Sequence, residues 1–140
     1  MRSSRLAQVA TFMAAAVAVQ LLAVHGGQGY LLTLPLMERF RANYLPDERD
    51  HTDWRASPAL ARSHAGLPPA YVITAGYDPL LDEGREYAER LAREGVEVVY
   101  RNYEDMIHGF IVMGGVLDTA NAAVADCCAA LRRAFEKVMA

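Results

Sequence analysis

The sequence predicts an α/β fold on an incomplete parallel sheet, with strand, helix, strand and helix in succession along its C-terminal half. A short apolar run rich in β-branched residues, 70–75, is bounded by prolines and Gly76 and is predicted to be a buried strand. Residues 96–100 are predicted to be a second strand. Segments with the apolar spacing of helices follow both of them. A βαβ connection joins parallel strands, so the predicted sheet is parallel. Since it has only two strands, its edges are unpaired.

The composition is that of a packed globular protein, with 53% hydrophobic and 22% charged residues among 140. The net charge of -3 and the scattered basic residues give no indication of a nucleic-acid or anionic-membrane partner. Cys127 and Cys128 are adjacent in a predicted helix and point in different directions, so a disulfide between them is not expected. The Cys and His residues do not have the spacing of a zinc site. Because the two cysteines are not expected to form a disulfide, the sequence predicts a reducing, cytoplasmic compartment.

Apolar periodicity predicts helices in three segments, 34–44, 82–94 and 119–138. The second segment begins with acidic residues, which favour a helix N-terminus. A polar connection punctuated by prolines, 46–69, separates the first two segments. The third segment is predicted to bury a stripe formed by Val124, Cys128, Leu131, Phe135 and Val138.

The N-terminal part of the chain carries a separate apolar run. Arg2 and Arg5 precede residues 10–24, a mostly apolar run that is interrupted by Gln20. A basic start before an apolar stretch is typical of a signal peptide, although a buried helix or strand has the same pattern. The run is short for a spanning helix, which needs about 20 apolar residues. An exported or membrane-anchored protein, through residues 6–24, is therefore the alternative to a cytoplasmic one.

Two polar side chains follow the two predicted strands at their carboxyl ends. The first loop contains Asp78 in the run GYDPL, and the second contains His108 in the run EDMIHGF. Sites of open α/β sheets form at this edge, where a carboxylate can orient an imidazole and stabilise the imidazolium formed during acyl transfer. Singly, an Asp before Pro is more typical of a turn, and a His before Gly of an ordinary loop. The interpretation therefore depends on the pair.

At these residues the chain resembles a known family. The run LPPAYVITAGYDPLLDEGREYAERLAREGVEVVYRNYEDMIHGF, residues 67–110, is similar to the C-terminal segment of bacterial esterases of the hormone-sensitive-lipase type, which have the α/β-hydrolase fold. The upstream piece GYLLTLPLMERFRANYLPDERDHTDWRASP, residues 29–58, resembles the stretch that joins the family's nucleophile region to its acid strand. The similarity covers about residues 29–138.

The resemblance implies a role for each member of the pair. The Asp of the family's D-P-L-x-D-E motif is the triad acid, here Asp78, and the His of its H-G-F motif is the triad base, here His108. The order acid then histidine is that of α/β-hydrolases. The resemblance further implies carboxylic esters with short to medium acyl chains as small-molecule substrates, and no metal or organic cofactor.

The chain departs from the family at the nucleophile, which is a Ser in a G-x-S-x-G elbow between a strand and a helix. None of Ser3, Ser4, Ser57 and Ser63 has glycine at both flanking positions. Without the elbow, neither an activated hydroxyl nor the adjacent oxyanion-binding amide is expected. We therefore predict little or no activity for this chain alone. The alternative is a non-catalytic fragment or pseudoenzyme module that pairs with itself or with another chain through the exposed sheet edge.

Residues 25–29, HGGQG, have an alternative interpretation as the H-G-G-G loop that supplies oxyanion-binding amides in this family. In the family that loop precedes the nucleophile, whereas the piece 29–33 already matches the region that follows it. We therefore expect residues 1–28 to be a divergent or altered N-terminal segment, with a possible apolar helix. Residues 29–140 are then the C-terminal part of an α/β-hydrolase domain.

Overall fold

The structure, a computed structural model, describes residues 30–139. In chain order, its regular elements are α1 (Leu34–Tyr44), β1 (Ala70–Tyr77), α2 (Leu81–Arg93), β2 (Val98–Ile107) and α3 (Asp118–Met139). Short 3-10 turns lie at Glu48–Thr52, Pro58–Leu60 and Phe110–Val112. The types and order of the elements agree with the sequence prediction. The second strand differs, because it was predicted at 96–100 and extends instead to Ile107.

The sheet has two strands, and β1 and β2 pair in parallel. The register runs from Ala70↔Val98 to Ala75↔Tyr103. Successive residues of a strand point to opposite faces of the sheet, and α2 and α3 lie on these two opposite faces. Thr74 faces α2, where its methyl group lies 2.7 Å from the position of a Cβ at Gly84. Ala75 packs on the other face with the first turns of α3, giving a helix–sheet–helix arrangement.

The core on the α3 face is built from small and aromatic side chains. Ala120 and Ala123 are 0% exposed. They form a cluster with Ala75, Tyr103 and Phe110. Alanines allow the helix backbone to approach the strands closely, and partly buried aliphatic side chains pack around this cluster.

The predicted buried stripe of α3 is wrong. Val124, Leu131 and Phe135 are 43%, 45% and 38% exposed, and Cys128 is exposed as well. The side chain of Val138 is outside the described part. The helix turns its alanine face towards the sheet, and two strands are too narrow to cover the larger residues one position further round. The periodicity identified the helix correctly but not the face that it buries.

Two further predictions concern apolar residues outside this core. In α1, the helical spacing of Leu36, Phe40 and Tyr44 predicts an apolar face. In the structure Phe40 and Tyr44 are 51% and 71% exposed, and Met37, at 6%, is the buried residue instead. In residues 30–139, no helix is both long and apolar enough to cross a membrane. The apolar run within residues 6–24 and the loop 25–29 lie outside the described residues.

Candidate active site

An irregularity in the pairing of β1 with β2 determines what emerges at the carboxyl edge of the sheet. After Ala75↔Tyr103 the next pair is Tyr77↔Ile107, so that Gly76 alone opposes residues 104–106. If the register of Ala75↔Tyr103 continued, Met106 would lie beside Asp78. Bulges commonly re-aim a side chain next to a site. Here the bulge advances β2 by two residues, so that His108 lies beside Asp78 instead.

Asp78 is held by the turn that leads from β1 into α2. Its Oδ1 accepts a hydrogen bond of 2.9 Å from the backbone N–H of Leu80, and its own carbonyl accepts one of 3.0 Å from the N–H of Leu81. The ring of Pro79 restricts the backbone between them. Only 13% of the Asp78 side chain is exposed. One carboxylate oxygen is thus used to fix the turn, and the second is free to orient another group.

His108 is positioned by the two residues that follow it. Gly109 has φ 75°, a left-handed conformation that a residue with a Cβ rarely adopts. Phe110 is 4% exposed and lies against Tyr103, with ring centroids 5.0 Å apart. The glycine turns the chain sharply at the end of β2, and the buried phenylalanine anchors the turn. The motif H-G-F therefore has a physical reason in this fold.

The structure brings Asp78 and His108 into direct contact. Nδ1 of His108 lies 2.8 Å from Oδ2 of Asp78. A carboxylate can only accept, so in the neutral imidazole the proton resides on Nδ1 and the lone pair on Nε2. The His108 side chain is 38% exposed. A pair of this geometry can take a proton from, or present a lone pair to, a group that approaches Nε2.

Exposed apolar side chains border this pair. Tyr77, which precedes Asp78, is 50% exposed and lies against Tyr30, with ring centroids 5.4 Å apart. Leu31 is 59% exposed, and its Cδ2 lies 3.5 Å from the position of a Cβ at Gly109. Single exposed apolar residues are unremarkable. Three that adjoin the two site residues form a surface to which an apolar group can bind.

A family model for the alpha/beta hydrolase fold matches residues 6–112 of the chain. The chain belongs to the α/β-hydrolase family. The resemblance and the fold class predicted from the sequence are thereby confirmed. The match begins ahead of the predicted boundary at residue 29, and that boundary stays a prediction because residues 1–29 lie outside the described part.

Individual α/β-hydrolases agree with this assignment. The carboxylic ester hydrolase LipN of Mycobacterium tuberculosis is 38% identical over 113 residues, which are 80% of this chain and 30% of that protein. The carboxylesterase NlhH of the same organism is 38% identical over 108 residues, covering 75% and 34%. LAE6, an alpha/beta hydrolase enzyme from the metagenome of Lake Arreo, superposes with a TM-score of 0.74 at 44% identity, covering 79% and 35%. The chain therefore spans about a third of the length of the relatives it matches.

Two serines lie in the described part of this α/β-hydrolase chain, and the hydroxyls of both are engaged away from His108. Ser57 is 5% exposed, and its Oγ donates a hydrogen bond of 2.7 Å to the carbonyl of His51. The Oγ of Ser63 donates one of 3.0 Å to Glu94. Within residues 30–139, neither serine is positioned as the partner of the imidazole.

Sequence reasoning missed a polar cluster that joins the proline-rich connection to the end of α2. His64 is 2% exposed, its Nε2 lies 3.0 Å from the carbonyl of Pro58, and its Nδ1 lies 3.3 Å from Glu94. The backbone N–H of His64 donates to the same carboxylate, as does Nε of Arg90 at 2.9 Å. Arg90 also donates to the carbonyl of Ala61 at 2.6 Å. No local pattern could have revealed groups some thirty residues apart.

Two carboxyl groups near the ends of α2 have shifted pKa values in opposite directions. Hydrogen bonds from the His64 backbone and from Arg90 lower the pKa of Glu94 to about 2. In the first turn of the helix, burial raises the pKa of Glu83 to about 7, and repulsion from Glu86 adds to the effect. Glu94 is therefore stabilised as an anion, whereas the environment of Glu83 favours its neutral form.

Proposed function

We propose that this chain supplies the acid and the histidine of a serine carboxylic-ester hydrolase. Asp78 orients His108, and Nε2 of His108 takes a proton from a serine hydroxyl and returns it to the leaving group. The hydrogen bond between Nδ1 of His108 and Oδ2 of Asp78 carries this proposal. The kinship with the carboxylic ester hydrolase LipN and the carboxylesterase NlhH supports it.

The proposed substrates are carboxylic esters with short to medium acyl chains. The apolar side chains of Leu31, Tyr30 and Tyr77 beside the pair support a substrate with an apolar group. The 140 residues contain no G-x-S-x-G sequence. We therefore expect little or no serine-dependent turnover of such esters by the chain alone.

A chimera tests the proposed roles directly. The region of LipN that matches this chain is replaced by the chain itself, so that LipN contributes everything ahead of it. We expect the chimera to hydrolyse a short-chain chromogenic ester. His108→Ala in the chimera is expected to lower the rate by about 100-fold or more, the usual contribution of a general base. Asp78→Asn is expected to lower it as well, because the amide favours the wrong imidazole tautomer.

A folded chimera that hydrolyses the ester equally well with and without His108 would show that this histidine is not the triad base. Ser63→Ala serves as the matched control. Its hydroxyl bonds Glu94 rather than the site, so the activity of the chimera is expected to be unchanged.

A second candidate is a non-catalytic module that pairs with itself or with a complementary chain. The unpaired edges of the two-stranded sheet and the exposed side chains of Val124, Leu131 and Phe135 favour it. Sedimentation of the purified chain over a range of concentrations tests self-association. A monomer at every concentration that also fails to co-sediment with the LipN portion preceding the match would count against pairing.

For the compartment, we propose the cytoplasm. The two cysteines of the chain, Cys127 and Cys128, are both free thiols, which fits a reducing environment. Fractionation of cells that express the chain tests this. Recovery in the membrane or exported fraction would favour an anchor or signal within residues 6–24.

A further inference from the structure

We infer that the 140-residue chain has a slow activity of its own, in which the imidazole of His108 attacks activated aryl esters as the nucleophile. The inference rests on the arrangement of Asp78 and His108 on which the proposed function also depends. It differs in assigning the attack to a nitrogen of this chain rather than to a serine hydroxyl.

The tautomer of the imidazole is the first reason. Asp78 accepts the Nδ1–H bond at 2.8 Å and so keeps the lone pair on Nε2. Histidine is among the side chains that form covalent intermediates, and a positioned neutral imidazole requires no further activation by a base. In a complete triad this lone pair is occupied by the serine proton. In the described part of this chain, no serine hydroxyl is bonded to it.

Access and surroundings are the second reason. The His108 side chain is 38% exposed, so an ester in solution can reach Nε2. The neighbouring Tyr77 and Tyr30 are exposed and lie against each other, and Leu31 lies against the turn at Gly109. An aromatic leaving group can bury its ring against these side chains while its ester carbonyl faces the imidazole. The surface thus favours aryl over small alkyl esters.

The reaction balances without a cofactor. The Nε2 lone pair forms a bond to the ester carbonyl carbon, and the phenolate leaves with the electron pair of the broken C–O bond. The acyl-imidazolium that results keeps its Nδ1–H bond to Asp78. Water then adds to the acyl carbon, the C–N bond breaks back to Nε2, and the carboxylic acid and one proton are released. The sum is ester and water giving acid and phenol.

Leaving-group ability limits this activity to activated esters. From the tetrahedral intermediate, an activated phenolate such as 4-nitrophenolate is expelled about as readily as imidazole. An alkoxide is expelled far less readily than imidazole, so the intermediate reverts. We therefore expect the chain to cleave 4-nitrophenyl acetate and to leave ethyl acetate intact. A serine triad, with its acid-assisted leaving group, cleaves both.

The experiment measures release of 4-nitrophenolate from 4-nitrophenyl acetate by the purified 140-residue chain and its variants. We expect the unaltered chain to exceed His108→Ala by about tenfold, which is less than the roughly 100-fold or more that a general base contributes in a complete site. Asp78→Asn should fall close to the level of His108→Ala, because it no longer holds the lone pair on Nε2. After subtraction of the direct reaction of hydroxylamine with the ester, measured with His108→Ala, added hydroxylamine should divert the acetyl group to a hydroxamate without altering the His108-dependent rate of phenolate release.

A variant with Ser3, Ser4, Ser57 and Ser63 all changed to alanine separates the imidazole from a serine. It should keep the His108-dependent rate, and a serine-directed fluorophosphonate should leave the rate of the unaltered chain unchanged. Loss of activity with the fluorophosphonate, or hydrolysis of ethyl acetate, overturns the inference. So does a marked slowing in heavy water with no more hydroxamate than His108→Ala gives, which indicates that His108 activates water instead.

Failure of this inference is distinguishable from failure of the proposed function. If the chain releases no more phenolate than His108→Ala while the LipN chimera depends on Asp78 and His108, the proposed function stands and the inference falls. If the chimera is indifferent to both residues and nitrogen-15 spectra of the chain show no hydrogen-bonded Nδ1 proton on His108, the shared arrangement itself is wrong.

Discussion

A Cβ atom at Gly76 would lie 2.0 Å from the backbone carbonyl oxygen of Glu104. The two strands approach this closely because Gly76 alone faces the bulged residues 104–106 of β2. A backbone carbonyl cannot rotate away as the end of a flexible side chain can. Any larger residue must therefore shift the strands at the point that sets Asp78 beside His108.

We expect Gly76→Ala to lower the free energy of unfolding by at least about 2 kcal/mol, the range of severe overpacking. Chemical denaturation followed by circular dichroism measures the change. The matched control is Gly115→Ala, since nothing lies within 4 Å of a Cβ there. If the two substitutions have the same small effect, the close approach at Gly76 is not a constraint on the fold.

Periodicity predicted the order and type of the elements because each helix and strand has its own local pattern. The continuation of β2 to Ile107 was missed, since the bulge depends on pairing with Gly76 and the residues 104–106 carry no apolar alternation. The structure places His108 beside Asp78, as the two motifs and their loops led us to expect. Their catalytic role stays a prediction.

Contacts between distant residues account for most of what sequence reasoning could not find. His64 and Glu94 lie thirty residues apart, and each alone has the appearance of an ordinary loop or helix-end residue. The buried face of α3 was misassigned because Ala120 and Ala123 carry little hydrophobic signal. The helix lies so close to the strands that only its small alanine side chains fit between them, and the face with larger residues therefore points away from the sheet.

The carboxylate of Glu94 makes the fold sensitive to acid. Hydrogen bonds from His64 and Arg90 lower its pKa from 4.5 to about 2. Stabilisation by a group with a lowered folded-state pKa is present above its ordinary value and is lost as the pH falls through the lowered one. We therefore expect the stabilisation contributed by Glu94 to disappear between pH 4.5 and about 2.

The variant Glu94→Gln keeps the shape of the side chain but removes the charge. Its thermal midpoint should lie below that of the unaltered chain above pH 4.5, and the two curves should converge as the pH falls towards 2. Glu136→Gln, on the exposed surface of α3, should give a curve parallel to that of the unaltered chain. A constant gap between Glu94→Gln and the unaltered chain at all pH values would contradict the assignment.

The stability contributed by Glu83 has the opposite dependence on pH to that contributed by Glu94. Burial, aided by Glu86, raises its pKa from 4.5 to about 7. A group whose folded-state pKa is raised contributes its stabilisation below the ordinary value, and that contribution is lost as the pH rises through the raised one. The fold should therefore lose stability as the pH rises from 4.5 to 7.

The variant Glu83→Gln removes this penalty. Above pH 7 it should be more stable than the unaltered chain. We expect a gain of about 1–2 kcal/mol, which allows for solvent screening of a partly exposed carboxyl group. Denaturant unfolding at several pH values measures the gain. Glu89→Gln, on the exposed face of the same helix, should change little, and an equal gain there would remove Glu83 as the cause.

The two faces of α3 give a paired test of the packing. Leu131 is 45% exposed, so Leu131→Gln should change the free energy of unfolding by less than about 0.5 kcal/mol, as surface substitutions do. Ala123 is 0% exposed, and Ala123→Leu should cost about 1–3 kcal/mol or more because the strands leave no room for the added atoms. Both variants are compared by denaturant unfolding of the purified chain at low concentration.

The opposite ranking would mean that the larger residues, and not the alanines, face the core. A large loss for Leu131→Gln only at high protein concentration would have a different meaning. The apparent stability of an oligomer rises with protein concentration because association stabilises the folded chains. A loss confined to high concentration would therefore identify the face with Val124, Leu131 and Phe135 as a contact between chains.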